Sequence, residues 1–427
     1  MSIQKQLKEL TEEKVISSEV AQSISEYYQR KSNNQQNRIL VIFSVLGAIL
    51  IGLGLILMVA HNWDTFDRRI KTLFSFLPLI IGQLFCFYTL LKKDENLSWS
   101  EASASFTFFS IGACTALISQ VYHIEGDMAT FLLSWLIPAI PLFYIMKSQT
   151  VALLYISGVT WFACSAGYDS NSSQIVFLYW ALIAVILPMY FLTYRKNPQH
   201  NILIFYHWFL PLSVVICLGT IEESLNTSFV LLYVFLFAIL SLIGDSNWIK
   251  NRHTSANGYL VLGSLGSHLL FFPFSFSEVW EEMRRNKIDI DSIAIPESVG
   301  LILLFLTACF LLLRHRKTVV LSKMRPTSWL FLAFSIIYIV GLTSSIAVVL
   351  TNLLILASGI ITIRQGAQQN HLGILNYGLM VITVLILCRF FDTDLSFIVR
   401  GILFILVGTG FFIANYFMIK KRKKHEA

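Results

Sequence analysis

Residues 328–363 read SWLFLAFSIIYIVGLTSSIAVVLTNLLILASGIITI, 36 positions without one acidic or basic side chain. As a continuous helix this stretch would run about 54 Å, whereas the hydrocarbon core of a bilayer is about 30 Å thick. The segment must therefore turn. The run Gly341-Leu-Thr-Ser-Ser345 is where it can, because it gathers a glycine and three hydroxyl residues that favour turns over helix. Splitting there gives two spans, 328–342 and 345–363, and sets the side of the membrane that every later segment faces.

Outward from this hairpin the pattern repeats in both directions. Apolar runs occur at 39–60, 72–91, 102–122, 128–146, 149–167, 174–193, 202–220, 228–243, 257–276, 297–313, 372–388 and 397–418, separated by short charged islands. Hydrophobic residues make up 56% of the chain and charged residues only 13%, with a mean hydropathy of +0.67. A soluble domain carries about 25% charged residues, so a soluble fold is excluded. The runs are continuous rather than alternating, which excludes a barrel of about ten-residue strands. The expected fold is all-α, a polytopic transmembrane helical bundle of about 14 spans. The third, eighth and eleventh spans carry the faintest signal, being polar-rich or short.

Charge tests this map independently. With the N-terminus inside, 24 of the 32 Lys and Arg fall on the inner side, including Arg314-His-Arg-Lys317 and the tail Lys420-Lys-Arg-Lys-Lys424. That is the bias the positive-inside rule requires. Fusing 328–363 into one span would put the tail outside. Both termini are therefore expected in the cytoplasm, and the net charge of +7 reflects topology rather than nucleic-acid binding.

Three regions follow. Residues 1–38 are polar, hold no signal-peptide core, and read as a short cytoplasmic helical hairpin: Ile3, Leu7 and Leu10 repeat at helical spacing. Ser18 is placed to cap a second helix bearing Val20, Ile24 and Tyr27 on one face. An interfacial amphipathic lead-in would read equally well. Residues 39–418 form the transmembrane domain and 419–427 the basic cytoplasmic tail. The longest external loop, 277–296, has room for a helix lying on the membrane surface.

The sequence lacks a Walker A loop, HExxH and G-x-S-x-G; Gly263-Ser-Leu-Gly266 has the wrong spacing. The six cysteines all fall in apolar runs without a CxxC pair, so no metal site, redox motif or cofactor is expected. No Asp or Glu lies at mid-membrane; Glu101 sits at a span boundary. His207 and His268 are the titratable groups within spans, and helix-packing hydrogen bonds are the commoner role for such a histidine. Ser44, Ala48 and Gly52 put small residues on one face of the first span, suited to close helix packing, and Gly112/Ala116 and Gly401/Gly408 repeat the theme.

Three polar clusters fall at the expected external surface. They contain Asn62, Asp64 and Arg69 after the first span, Gln120, His123 and Glu125 at the end of the third, and Arg389 and Asp392 before the last with Arg400 some three residues into it. Interfacial anchoring, with Trp63 and Tyr122 at headgroup level, accounts for them most simply. The sharper reading is that all nine border one outward-facing site for a polar or anionic headgroup.

Three separated segments also carry a resemblance: LKELTEEKVISSEVAQSISEYY (7–28), GAILIGLGLILMVAHNWD (47–64), and ALISQVYHIEGD (116–127) followed by Trp135. Over about the first 150 residues the chain resembles a bacterial membrane-protein family catalogued as domain-of-unknown-function family 2157. The resemblance implies a bacterial cytoplasmic (inner) membrane location; it brings no activity and no catalytic residue.

The expected function is transport or lipid handling, a carrier or flippase without ATPase chemistry. Membrane lipids and a lipid-linked or polar small molecule would be its partners, and a cytoplasmic protein could meet the N-terminal hairpin. An enzyme is disfavoured: a membrane glycosyltransferase with a lipid-linked donor would use acids such as Asp64 and Asp67, but such enzymes usually carry larger external loops. A structural or sensory membrane partner is the third class. Oligomeric state leaves no mark on the sequence.

Overall fold

The computed structural model describes residues 66–93, 96–168, 177–221, 227–246, 256–285, 295–317 and 324–390, with scattered positions between 11 and 54, at 249, and between 398 and 412. Among the described residues all regular structure is helical, without strands. Among the described residues nine helical segments are long and apolar enough to cross a membrane, so the expected count of about 14 spans is not confirmed. Four further apolar helices, Ile42–Ile51, Ile202–Leu218, Phe229–Gly244 and Leu330–Gly341, are shorter. Each expected run between 72 and 388 coincides with helix. Those at 39–60 and 397–418 lie largely outside the described residues, as does most of the 1–38 hairpin. The chain divides into two compact units, Met1–Leu192 and Thr193–Ala427.

The first unit holds α1 (Arg68–Lys92), α2 (Leu97–Tyr122), α3 (Met128–Ile145), α4 (Gln149–Gly167), α5 (Leu178–Ala184) and the start of α6 (Leu187–Lys196). The run at 174–193 is one apolar segment, Leu178–Lys196, long enough to cross a membrane and interrupted by a turn at 185–186 between α5 and α6. Pro188, near the start of α6, has no N–H to continue the hydrogen-bond ladder of α5. Side chains set three helix starts: Asn96 accepts from the Ser98 and Trp99 amides, Asp127 from Thr130, and Ser148 from Val151. His123 ends α2 in the left-handed region, at φ 48°.

α2 explains why its span signal was faint. It is the most enclosed of the long helices, and its polar residues face the interior of the unit. Four of the hydroxyls are satisfied within the helix: Ser103, Thr107, Ser110 and Thr115 each donate to the carbonyl four residues back, at 2.7–2.9 Å. α2 also starts five residues before the expected boundary, at Leu97, which draws Glu101 into the helix and buries it at 3% exposure. Gly112 receives the indole of Trp135; a Cβ there would come within 2.5 Å of the ring, so this small residue does permit close packing. Of the first-span trio, Ser44 is half-buried, and Ala48 and Gly52 lie outside the described residues.

The second unit holds α7 (Ile202–Leu218), α8 (Thr227–Gly244), α9 (Gly258–Phe271), α10 (Ser277–Arg285), α11 (Ile295–Arg316), α12 (Leu330–Gly341), α13 (Ile346–Gln368) and α14 (Leu372–Phe390). α8 is apolar all round and almost wholly buried, as a central helix should be. It packs with α9, α11, α12 and α13 around a core that includes Phe235, Phe271, Trp280, Phe331 and Phe334.

The chain turns at Gly341–Ser345, where the sequence places the break. Arg284 of α10 completes it, donating to the Gly341 carbonyl at 3.1 Å and to the Ser345 hydroxyl at 3.4 Å. Helix ends leave carbonyls without partners, and a guanidinium supplies one here. α10 confirms a helix within 277–296, but not one lying free on a surface. Its Trp280 is fully buried and donates to the Phe274 carbonyl at 2.8 Å, with its ring where a Cβ on Gly341 would stand.

Candidate functional site

The nine residues read from sequence as one external site divide as follows. Asn62, Asp64, Asp392 and Arg400 lie outside the described residues. Arg69, Gln120, His123 and Glu125 belong to the first unit and are exposed; Arg389 belongs to the second. In the first unit, the turn between α2 and α3 borders a cavity of about 350 Å³. Glu125 lines it, with Asp127, Thr130, Ser134, Thr115 and Ser119; Gln120 and His123 do not. Beside this turn Tyr122 accepts the Arg68 guanidinium over its ring, 4.6 Å from the centroid, and lies 3.2 Å from the Thr72 hydroxyl. Asp127 caps α3, and the Thr130 hydroxyl and then its amide hold this carboxyl below the usual carboxylate range.

Arg389 ends α14 and is tied to the turn between α9 and α10. It donates to the Ser275 hydroxyl at 3.2 Å and stands 4.6 Å over the Phe276 ring, while Asn352 donates to the Ser275 carbonyl at 2.9 Å. These contacts fasten α13 and α14 to that turn.

A second cavity, about 160 Å³, lies wholly within the second unit. Leu260, Val261, Ser264 and Leu265 of α9, the turn Arg325-Pro-Thr327, Thr362 and Gln365 of α13, and Gly373, Ile374 and Tyr377 of α14 form its wall. Most of this lining is apolar. The polar groups collect in two places.

One group is the turn that carries Arg325. Its Nε stands 3.4 Å from Asp245 Oδ1, at the end of α8, and His315 Nε2 of α11 stands 3.1 Å from the other carboxylate oxygen. Asp245 and His315 are both buried, so this charge is compensated by its neighbours rather than by water. Gln365 donates to the Met324 carbonyl at 2.6 Å and holds the same turn from α13. Pro326 opens the short 3₁₀ turn Pro326–Ser328, where a missing N–H costs nothing.

The other group is a chain of side chains across three helices. Tyr377 Oη is 2.8 Å from the Ser264 carbonyl and 2.8 Å from His268 Nδ1. His268 Nδ1 is also 2.9 Å from the Ser264 carbonyl, and its Nε2 is 3.0 Å from Ser358 Oγ. Ser358 donates to the Ile355 carbonyl, and Thr362 to the Ser358 carbonyl, both at 2.7 Å. Two proton arrangements satisfy this chain. With the proton on Nδ1, His268 and Tyr377 both donate to Ser264 and the Ser358 hydroxyl turns to Nε2. With it on Nε2, His268 donates to Ser358 and Tyr377 donates to Nδ1. An imidazolium would find acceptors for both its N–H groups as well. The sequence singled out His268 but not its partners; a tyrosine in an apolar run, Tyr377, was the available signal.

No curated protein and no solved structure matches the chain. Residues 8–152, spanning the α1–α3 region and the start of α4, match the profile of a family described as predicted membrane protein, domain of unknown function 2157.

Proposed function

We propose that the protein is a membrane carrier or lipid-handling protein without ATPase chemistry, set in a bacterial cytoplasmic membrane with both termini in the cytoplasm. The supporting observation is the cavity among α9, α13, α14 and the Arg325 turn. Its wall is mostly apolar, it is bordered by the hydrogen-bonded Tyr377–His268–Ser358 chain, and three of the helical segments forming it, Gly258–Ser275, Ile346–Gln368 and Leu372–Arg389, are long and apolar enough to cross a membrane. Buried polar chains of this kind within apolar helices commonly mark a substrate or ion path. The positive bias of the inner segments supports the orientation. Asp64, on which a glycosyltransferase would rest, lies outside the described residues.

Alternating access is the test. A cysteine replacing Thr362, on the cavity wall of a chain cleared of its own cysteines, should react with a membrane-impermeant maleimide from either side of sealed vesicles. Reaction from one side only, in both vesicle orientations, would mean a fixed pocket and remove the carrier reading.

A further inference from the structure

The chemistry of the second-unit cavity points to a ligand class. Resting on the reading of this cavity as a substrate seat, we infer that it takes an amphiphile with a phosphate or carboxylate head, the head held by Arg325 and the chain lying along α9.

Three observations carry this. First, Arg325 is positioned but not used up. Its Nε faces Asp245, and its two terminal nitrogens have no hydrogen bond among the described residues although the side chain lines the cavity. A guanidinium fixed through Nε offers its outer nitrogens as a planar fork, the geometry that suits an oxyanion.

Second, the charge balance at this end favours an anion. Arg314, Arg316 and Lys317 at the end of α11, Arg364 near the end of α13, and Arg325 itself are set against Asp245, the acid in contact with the cluster. Asp245 cancels part of the charge on Arg325, and the exposed bases around it leave the end of the unit positive.

Third, the apolar wall continues out of the cavity. Val261 and Leu265 line it, and Leu269, one turn further on the same face of α9, is 67% exposed. A cavity of 160 Å³ is close to one of about 150 Å³ that holds a single benzene ring. It therefore accommodates a head and the first chain carbons, and the remainder of an acyl or alkyl chain has the Val261–Leu265–Leu269 row to follow into lipid. A neutral apolar molecule would leave the guanidinium fork unmatched, and a free anion would leave the apolar row unused.

The test uses the full chain in phosphatidylcholine nanodiscs with two photoreactive probes, a diazirine-bearing hexadecyl phosphate and the corresponding hexadecanol. The phosphate should label peptides of α9 or the start of α14 about tenfold more than the alcohol, the discrimination of one charge-assisted contact. Arg325→Gln should remove that preference, Arg325→Lys should retain part of it, and excess inorganic phosphate should leave labelling unchanged. The two probes on the unaltered chain decide the matter even if the variants fail to fold. Equal labelling by both probes overturns the oxyanion head while leaving the cavity as a seat. Displacement by inorganic phosphate overturns the amphiphile, because the site then serves a free anion. Labelling elsewhere but not at the cavity by either probe overturns this inference and the substrate seat together.

Discussion

The carboxylate of Glu101, on α2, accepts the Ser148 hydroxyl at 2.5 Å and the amides of Gln149 and Thr150 at 2.9 and 3.0 Å, so that one helix closes the first turn of another. Ser100 reinforces the joint by donating to the Met146 carbonyl. A carboxylate at a helix N-terminus meets both the free N–H groups and the positive end of the macrodipole.

Removing that carboxylate strands buried donors. Glu101→Ala should destabilise the protein by about 3 kcal/mol, the upper end for a charged hydrogen-bonded group, and Ser148→Ala by about 1 kcal/mol. Because the two side chains touch, the double variant should lose less than the sum, and thermal unfolding in detergent would show it. Additive losses would mean that the contact carries no energy of its own.

Asp127 gives a pH dependence whose sign is fixed. Its folded pKa is lowered, so its stabilisation is present above the unfolded value and is lost as pH falls through the folded one. The loss should therefore begin below about pH 4. Asp127→Ala should cost about 1 kcal/mol at neutral pH. Asp127→Asn should keep most of the cap and flatten this part of the acid limb, as melting temperatures across pH would record.

The proton chain at His268 predicts a tautomer shift. Tyr377→Phe removes the donor that Nδ1 needs when the proton sits on Nε2, whereas the Nδ1–H form keeps Ser264 as acceptor and Ser358 as donor. Imidazole nitrogen chemical shifts should report mostly the Nδ1–H tautomer in the variant. A spectrum dominated by Nε2–H would contradict the arrangement. The stability cost should be about 1 kcal/mol, one hydrogen bond.

Gly341 cannot grow. A Cβ there would overlap the Trp280 ring, so Gly341→Ala should cost about 1–3 kcal/mol by overpacking. Trp280→Leu, destabilising by itself, should reduce the added cost of Gly341→Ala in the double variant. A Gly341→Ala chain with unchanged melting would show that the ring shifts freely.

The turn at 341–345 also sets the parity of the chain. In intact cells a cysteine probe at position 286 should react with an impermeant reagent and one in the 420–424 tail should not. Reaction at the tail would reverse the orientation.

Much of this fold was legible as spacing. The break in 328–363 was visible because no helix of that length fits a bilayer, and hydroxyl residues with a glycine stood in its middle. Its stabiliser was not visible, since Arg284 is 57 residues from the carbonyl it caps. The polar third span looked weak because sequence cannot tell a helix facing water from one whose hydroxyls bond its own carbonyls inside a bundle. The same holds for the site. His268 stands out as a titratable group in an apolar run, but Tyr377 lies 109 residues away and Arg325 reads only as one more inside-positive charge. Of the external clusters, the structure brings Glu125 to a cavity and gives Arg389 a packing role; Asn62, Asp64, Asp392 and Arg400 fall outside what it describes.

The brevity of α12 has a consequence for the lipid. Its 12 residues rise only about 18 Å, and Ile336 and Ile339 on its outer face are 66% and 67% exposed. If this helix crosses, acyl chains against those two isoleucines must shorten or splay to match it, at a cost of fractions of a kcal/mol for each ångström of mismatch. The protein would then carry a collar of compressed lipid along one flank, and short-chain lipids should gather there ahead of long ones. Membrane thickness would in that way act on the protein as a chemical condition, alongside pH and salt.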